Sequence, residues 1–67
     1  MKLDLPKLQI AMAAACMNKS DLAAASGISR TSIGKYFSGK RNPAAKTIGK
    51  MARALKVPVT EIIEAKN

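Results

Sequence analysis

Apolar side chains fall at helical rather than alternating intervals along this chain. Leu8, Ala11, Met12 and Ala15 occupy i, i+3, i+4 and i+7, and Ile48, Met51, Ala52 and Leu55 repeat the spacing, which puts each set on one stripe of a helix. β-Branched residues are scattered and never alternate for long, so no strand is predicted. The stripes and their punctuation predict five helices. The first covers about residues 6–15, with Pro6 in a first turn where a missing N–H is harmless. The second covers about 19–25: Asn18 is its N-cap, Asp21 completes a capping-box-like pair, Leu22 anchors it, and Gly27 follows as a left-handed residue. The third starts after the cap Ser29 and reaches about Ser38, with Ile33 and either Tyr36 or Phe37 toward the core and Gly39 ending it. The fourth takes Asn42 as cap and Pro43 as first residue and runs to about Lys56, with Lys46, Lys50 and Arg53 away from the core. A short fifth helix is expected over about 59–65, with Pro58 at its start and Ile62 and Ile63 inside it. Connections of two to five residues make one compact all-α domain of residues 1–67.

The joint between the second and third helices has specific spacing. Ala23 sits mid-helix, Gly27 four residues later, Ile28 next, and Ile33 five beyond that. A small Ala23 lets the third helix cross closely. Gly27 allows positive φ for a sharp turn. Ile28 plugs the space between the helices, and Ile33 locks the third helix onto the core with its opposite face exposed. Two helices joined by such a turn form a helix-turn-helix unit, here at about residues 19–38.

Charge narrows the function. Twelve Lys and Arg stand against four Asp and Glu, for a net charge of +8. Residues 22–60 contain no acid, yet hold Arg30, Lys35, Lys40, Arg41, Lys46, Lys50, Arg53 and Lys56. Such a surface attracts polyanions through counterion release; the blander alternative is a solvated basic face. Tyr36 and Phe37 are the only aromatic residues, too few for the stacking platforms of single-strand binders. With no histidine, one cysteine and four scattered acids, neither a zinc site nor general acid–base catalysis is expected. No cofactor and no small-molecule ligand are implied. Ala13-Ala14-Ala15-Cys16 resembles a lipoprotein cleavage site, but Asp4, Pro6, Lys7 and Gln9 interrupt the apolar region that a signal needs. No stretch approaches the ~20 apolar residues of a membrane span. The expectation is a cytoplasmic, nucleoid-associated protein with no membrane contact, and Cys16 a reduced, buried thiol.

Met17-Asn18-Lys19-Ser20-Asp21-Leu22-Ala23 leading into Gly27-Ile28-Ser29, followed by Ile33, Tyr36, Gly39 and Pro43, resembles the phage-repressor, Cro-like (XRE-type) helix-turn-helix regulators. Ile48, Ala52, Leu55, Val57 and Ile62 match later core positions of that family, so the likeness runs from about Leu8 to Ile63. Met12 stands near where many relatives carry an Arg, and Pro58 where many have a capping Ser or Thr. The resemblance implies a five-helix, lambda-repressor-like fold whose third helix enters the major groove of duplex DNA. The implied base-contacting residues are Arg30, Thr31, Gly34 and Lys35. Arg30 and Lys35 are suited to guanine O6 and N7, and Thr31 to base edges or a thymine methyl. Gly34 weakens the helix; either a side chain there would keep the helix out of the groove, or the glycine is merely tolerated. Backbone contacts are expected from Asn18, Lys19 and Ser20 at the second helix's N-terminus, from Ser32 and Ser38 flanking the reading face, and from Lys40, Arg41 and Lys46.

The family's habit further implies a repressor-like transcriptional regulator of phage or mobile-element type, bound as a homodimer to a pseudopalindromic operator. Val57, Val59, Ile62 and Ile63 form an apolar C-terminal patch that either pairs two copies or closes the core. An antitoxin-type autoregulator would use the same domain but usually adds a toxin-binding segment, and nothing follows Asn67. A protein-interaction module that has lost DNA binding would favour an acidic or apolar third helix, unlike Arg30 and Lys35.

Overall fold

The computed structural model describes residues 1–64. Among these residues are four α-helices: α1 (Leu5–Ala14), α2 (Lys19–Ser26), α3 (Arg30–Phe37) and α4 (Ala45–Leu55). α2 packs against both α3 and α4. The interior is apolar and continuous. Leu8, Leu22, Ile33, Ile48, Met51 and Ile62 are fully enclosed, each contributing about 1.5–3 kcal/mol relative to an exposed side chain. Ala11, Met12, Tyr36, Ala52 and Leu55 complete the core expected from the helical stripes. Tyr36 is the buried aromatic of the third helix and Phe37 only half-buried; Ala15, Ile28 and Ile63 likewise pack from the edge.

Helix ends follow local chemistry. The Asp4 side chain accepts from Lys7 N at 2.9 Å and caps α1. Asn18 and Asp21 form a reciprocal capping box on α2, with Asp21 N donating to Asn18 Oδ1 at 2.8 Å and Asn18 N to Asp21 Oδ2 at 3.0 Å. Ser29 caps α3 by accepting from Ser32 N. At the far ends, Gly27 (φ +76°) and Gly39 (φ +78°) adopt the left-handed conformation that the spacing required. Cys16 and Lys56 do the same at φ +57° and +58° although they carry side chains. Their turns close through Met17 N to Met12 O and Val57 N to Ala52 O, so the hydrogen bonds of the helix terminus outweigh the Cβ crowding.

Three expectations are corrected. Cys16 is exposed rather than buried, because the left-handed turn after α1 carries it off the core stripe. The fourth helix does not begin at Pro43 under an Asn42 cap. Pro43 is buried ahead of the helix. Helical geometry starts at Ala45, after an extended Ala44 that provides no side-chain cap. The fifth helix is a single 3-10 turn, Val59–Glu61. β-Branched Val57, Val59, Thr60, Ile62 and Ile63 lose rotamer freedom in a helix, and a segment this short cannot repay nucleation. The chain instead extends alongside the N-terminus. Leu3 and Ile63 form an antiparallel bridge, Asp4 N donates to Ile62 O at 2.9 Å, and Glu64 N to Lys2 O at 2.8 Å. Leu3 is thereby buried. The expected end of the fifth helix, Ala65, lies outside the described residues.

Two glycines give opposite expectations. Gly27→Ala forces a Cβ into the left-handed region and should destabilise the domain by about 1–2 kcal/mol. Gly49 lies inside α4 with open space where a Cβ would stand, so Gly49→Ala should stabilise by up to about 1 kcal/mol. Urea denaturation followed by circular dichroism checks both signs.

Candidate nucleic-acid interface

α3 owes its exposed face to the way it is pinned. Ile33 and Tyr36 are its buried residues, and Ile33 meets the core that Leu22 of α2 also enters. Ala23 and Ile28 pack at the edge of the same cluster. The Ser26 hydroxyl accepts from Ile28 N at 3.3 Å while donating to Leu22 O, which stiffens the turn. With one side held this way, Arg30, Thr31 and Lys35 stand exposed on the other, and Gly34 is half-buried among them. Ser32 is half-buried and ties back to Ser29, their hydroxyls 2.9 Å apart. Ser38 is exposed, its hydroxyl donating to Lys35 O at 3.1 Å.

The N-terminal end of α2 lies beside the start of α3. Its capping box uses the N–H of Asp21, which leaves those of Lys19 and Ser20 without a capping side chain at the positive end of the helix dipole. Arg30 crosses to this end: its Nε donates to Ser20 Oγ at 3.3 Å. The Lys19 ammonium stands 4.7 Å from the centroid of the Phe37 ring, a cation–π contact joining the start of α2 to the end of α3. Asn18, Lys19, Ser20, Arg30 and Phe37 therefore line one open concavity, together with Gln9 of α1. Two cations stand there, at a helix end whose Lys19 and Ser20 N–H groups have no capping side chain, against the single carboxylate of Asp21, which is already engaged by Asn18 N. Such a setting suits an anionic oxygen.

Sequence reasoning grouped Asn18, Lys19 and Ser20 but assigned Arg30 to base reading. The structure brings Arg30 to the same concavity as those three. Gln9, Met12, Ala13, Met17 and Phe37 were missed as lining residues. Gln9 had one visible signal: it sits on the α1 flank beside the stripe of Leu8 and Met12.

The segment after α3 adds a second cationic group. Lys40 and Arg41 are exposed on the loop that follows Gly39, and Lys46 is exposed in the first turn of α4. Of the residues expected to pair two copies, Ile62 is wholly enclosed and presents nothing to a partner, whereas Val57, Val59 and Ile63 are half-buried against the core. No cluster of three or more His, Cys, Asp or Glu able to hold a metal occurs among the described residues. No helix among them is long and apolar enough to cross a membrane.

A family model described as helix-turn-helix matches residues 8–62. Neither curated proteins nor solved structures give a match. The matched span covers all four helices but the first turn of α1, together with the turn that aims α3 outward. The chain thus belongs to the helix-turn-helix family of Cro- and lambda-repressor-like DNA-binding regulators.

Proposed function

We propose that the protein is a sequence-specific transcriptional regulator of repressor type that lays α3 in the major groove and holds the flanking phosphates from two sides. The observation that carries this reading is the α3 face of exposed Thr31 and Lys35 with half-buried Gly34 between them, in a stretch, residues 22–60, that holds no acid, flanked by Lys19 and Arg30 on one side and by Lys40, Arg41 and Lys46 on the other. Lys35 and Thr31 take the base edges, Lys35 as a donor to guanine and Thr31 through its hydroxyl or methyl. Lys19, Ser20 and Asn18 meet the backbone on one side. Lys40, Arg41 and Lys46 meet it on the other, joined by Ser38. Ser32 supports this face through Ser29 as well as flanking it.

Arg30 fits the backbone group better than the base-reading group. Its Nε donates to Ser20 at the start of α2 while one terminal nitrogen lies beside Gly34, so the guanidinium stands between that helix end and the α3 face, where its terminal amino groups can reach a phosphate. Binding as a two-fold pair to a pseudopalindromic operator, with half-sites about one helical turn apart, completes the reading.

The assignments separate by mutation. Lys35→Ala should weaken the preferred site by about 1–3 kcal/mol and relax sequence preference there. Arg30→Ala and Lys40→Ala should weaken every duplex alike and each reduce the slope of log K against log salt by about one. Fluorescence anisotropy on a selected site and a scrambled one, each as a salt series, measures both quantities. A loss confined to the selected site in Arg30→Ala would return that residue to base reading.

Gly34 supports its own test. A Cβ added there would meet only Arg30, at 3.8 Å, so the protein itself has room for it. Gly34→Ala should raise stability by up to about 1 kcal/mol. If close approach to the groove requires the glycine, the same variant should bind its site at least about tenfold more weakly, a loss of about 1.4 kcal/mol. Thermal melts and anisotropy on one preparation compare the two effects, and unchanged affinity would show the glycine to be merely tolerated.

A further inference from the structure

α1 is apolar around most of its circumference. Its core stripe is Leu8, Ala11 and Met12. A second face, apolar at Ile10, Ala11 and Ala14 and headed by Lys7, runs beside the first at i, i+3, i+4 and i+7. A helix apolar on more than one flank is ordinarily covered on more than one flank, yet Ile10 is 69% exposed. Ile10 forms part of the wall of an open concavity that Lys7, Ala11, Ala14, Val57 and Glu61 also line. A projecting Ile on the wall of such a depression is a shape that complements itself.

Charge selects the occupant. Three of the four acids, Asp4, Glu61 and Glu64, lie at this end of the molecule with Lys2 and Lys7. The charges there nearly balance, whereas residues 22–60 carry eight cations and no acid. Two copies of a +8 protein repel each other across most orientations; this end is where they can approach. DNA is disfavoured here by the acids, and an acidic partner would prefer the basic faces.

We propose that this α1 flank is the surface by which two copies pair. Ile10 of each copy seats in the concavity of the other, and Lys7 of each faces Glu61 of the other. A two-fold interface repeats every contact, so one Lys–Glu pairing becomes two. Lys7 Nζ donates to Ile63 O at 3.2 Å within its own chain, and an ammonium has two further donors for the second copy's carboxylate. Val57 belongs to this surface, while Val59 and Ile63 support it from the core side. The flank lies on the side of α1 away from Gln9, which lines the concavity at the start of α2, so pairing leaves that concavity open.

The inference deepens the two-fold pairing of the proposed function, but its test uses no DNA, so the two readings fail separately. Sedimentation equilibrium of the purified full chain, from micromolar to millimolar, should show reversible dimers. Ile10→Glu should abolish them, and Ile10→Ala should weaken them. Lys7→Glu and Glu61→Lys should each raise the dissociation constant by about tenfold or more, because like charges opposed across an interface repel. The double swap should recover most of the loss, a result that simple unfolding cannot mimic. Lys50→Glu on α4 should leave the dimer unchanged. A wild-type chain that stays monomeric at millimolar concentration would overturn the proposal. So would dimers indifferent to Ile10→Glu, or single swaps that the double does not rescue.

Discussion

The recognition geometry depends on one packing contact, the burial of Ile33 in the core that Leu22 shares. Both side chains have no exposed surface. Between them lies a turn that a left-handed Gly27 makes possible and that the Ser26 hydroxyl braces. If Ile33 is seated, α3 has one allowed roll about its axis, and Thr31 and Lys35 must face outward. Removing apolar volume here would loosen the angle between α2 and α3 as well as lower stability. An interface that relies on a few side chains meeting base edges tolerates little such freedom.

Electrostatics then divides the molecule. At the α2 and α3 end, Lys19, Arg30, Lys40, Arg41 and Lys46 are opposed only by Asp21, which is committed to its capping box. At the end formed by the first residues and the 3-10 turn, Asp4, Glu61 and Glu64 offset the cations. Long-range attraction would therefore orient the protein on a polyanion before any specific contact forms. The N-terminus of α2 combines helix dipole, uncapped N–H groups and two cations in one place, which suits the positioning role that phosphate contacts have in this family.

Much of this was visible in the chain. The α4 stripe of Ile48, Met51, Ala52 and Leu55 is buried as its period required, and so are Leu8, Leu22 and Ile33. Asn18 with Asp21, and Gly27 with Gly39, marked helix ends because their chemistry has few other uses. What escaped notice was set by tertiary contact. Pro43 has the right φ for a first helical turn, and only the core decides that its ring is worth burying instead. Cys16 and Lys56 turn left-handed with no residue-type signal, since the hydrogen bonds at the helix end outweigh their intrinsic preference. Val59, Ile62 and Ile63 have helical spacing on paper, but the isolated bridge to Leu3 offers a pairing that no local pattern reveals. In the candidate site, the third-helix face was legible from Ile33 alone. Arg30's turn toward Ser20 was not, because a long side chain at a helix start can reach either way.

The most direct test of the central claim is fluorescence anisotropy of the pure protein on a random duplex of about 30 base pairs at two salt concentrations, followed by selection from a random pool. The account predicts binding that falls steeply with salt and resolves into one enriched, roughly symmetric site. A folded helical protein that shows no binding at low salt would contradict it, and the exposed face of α3 would then need another partner.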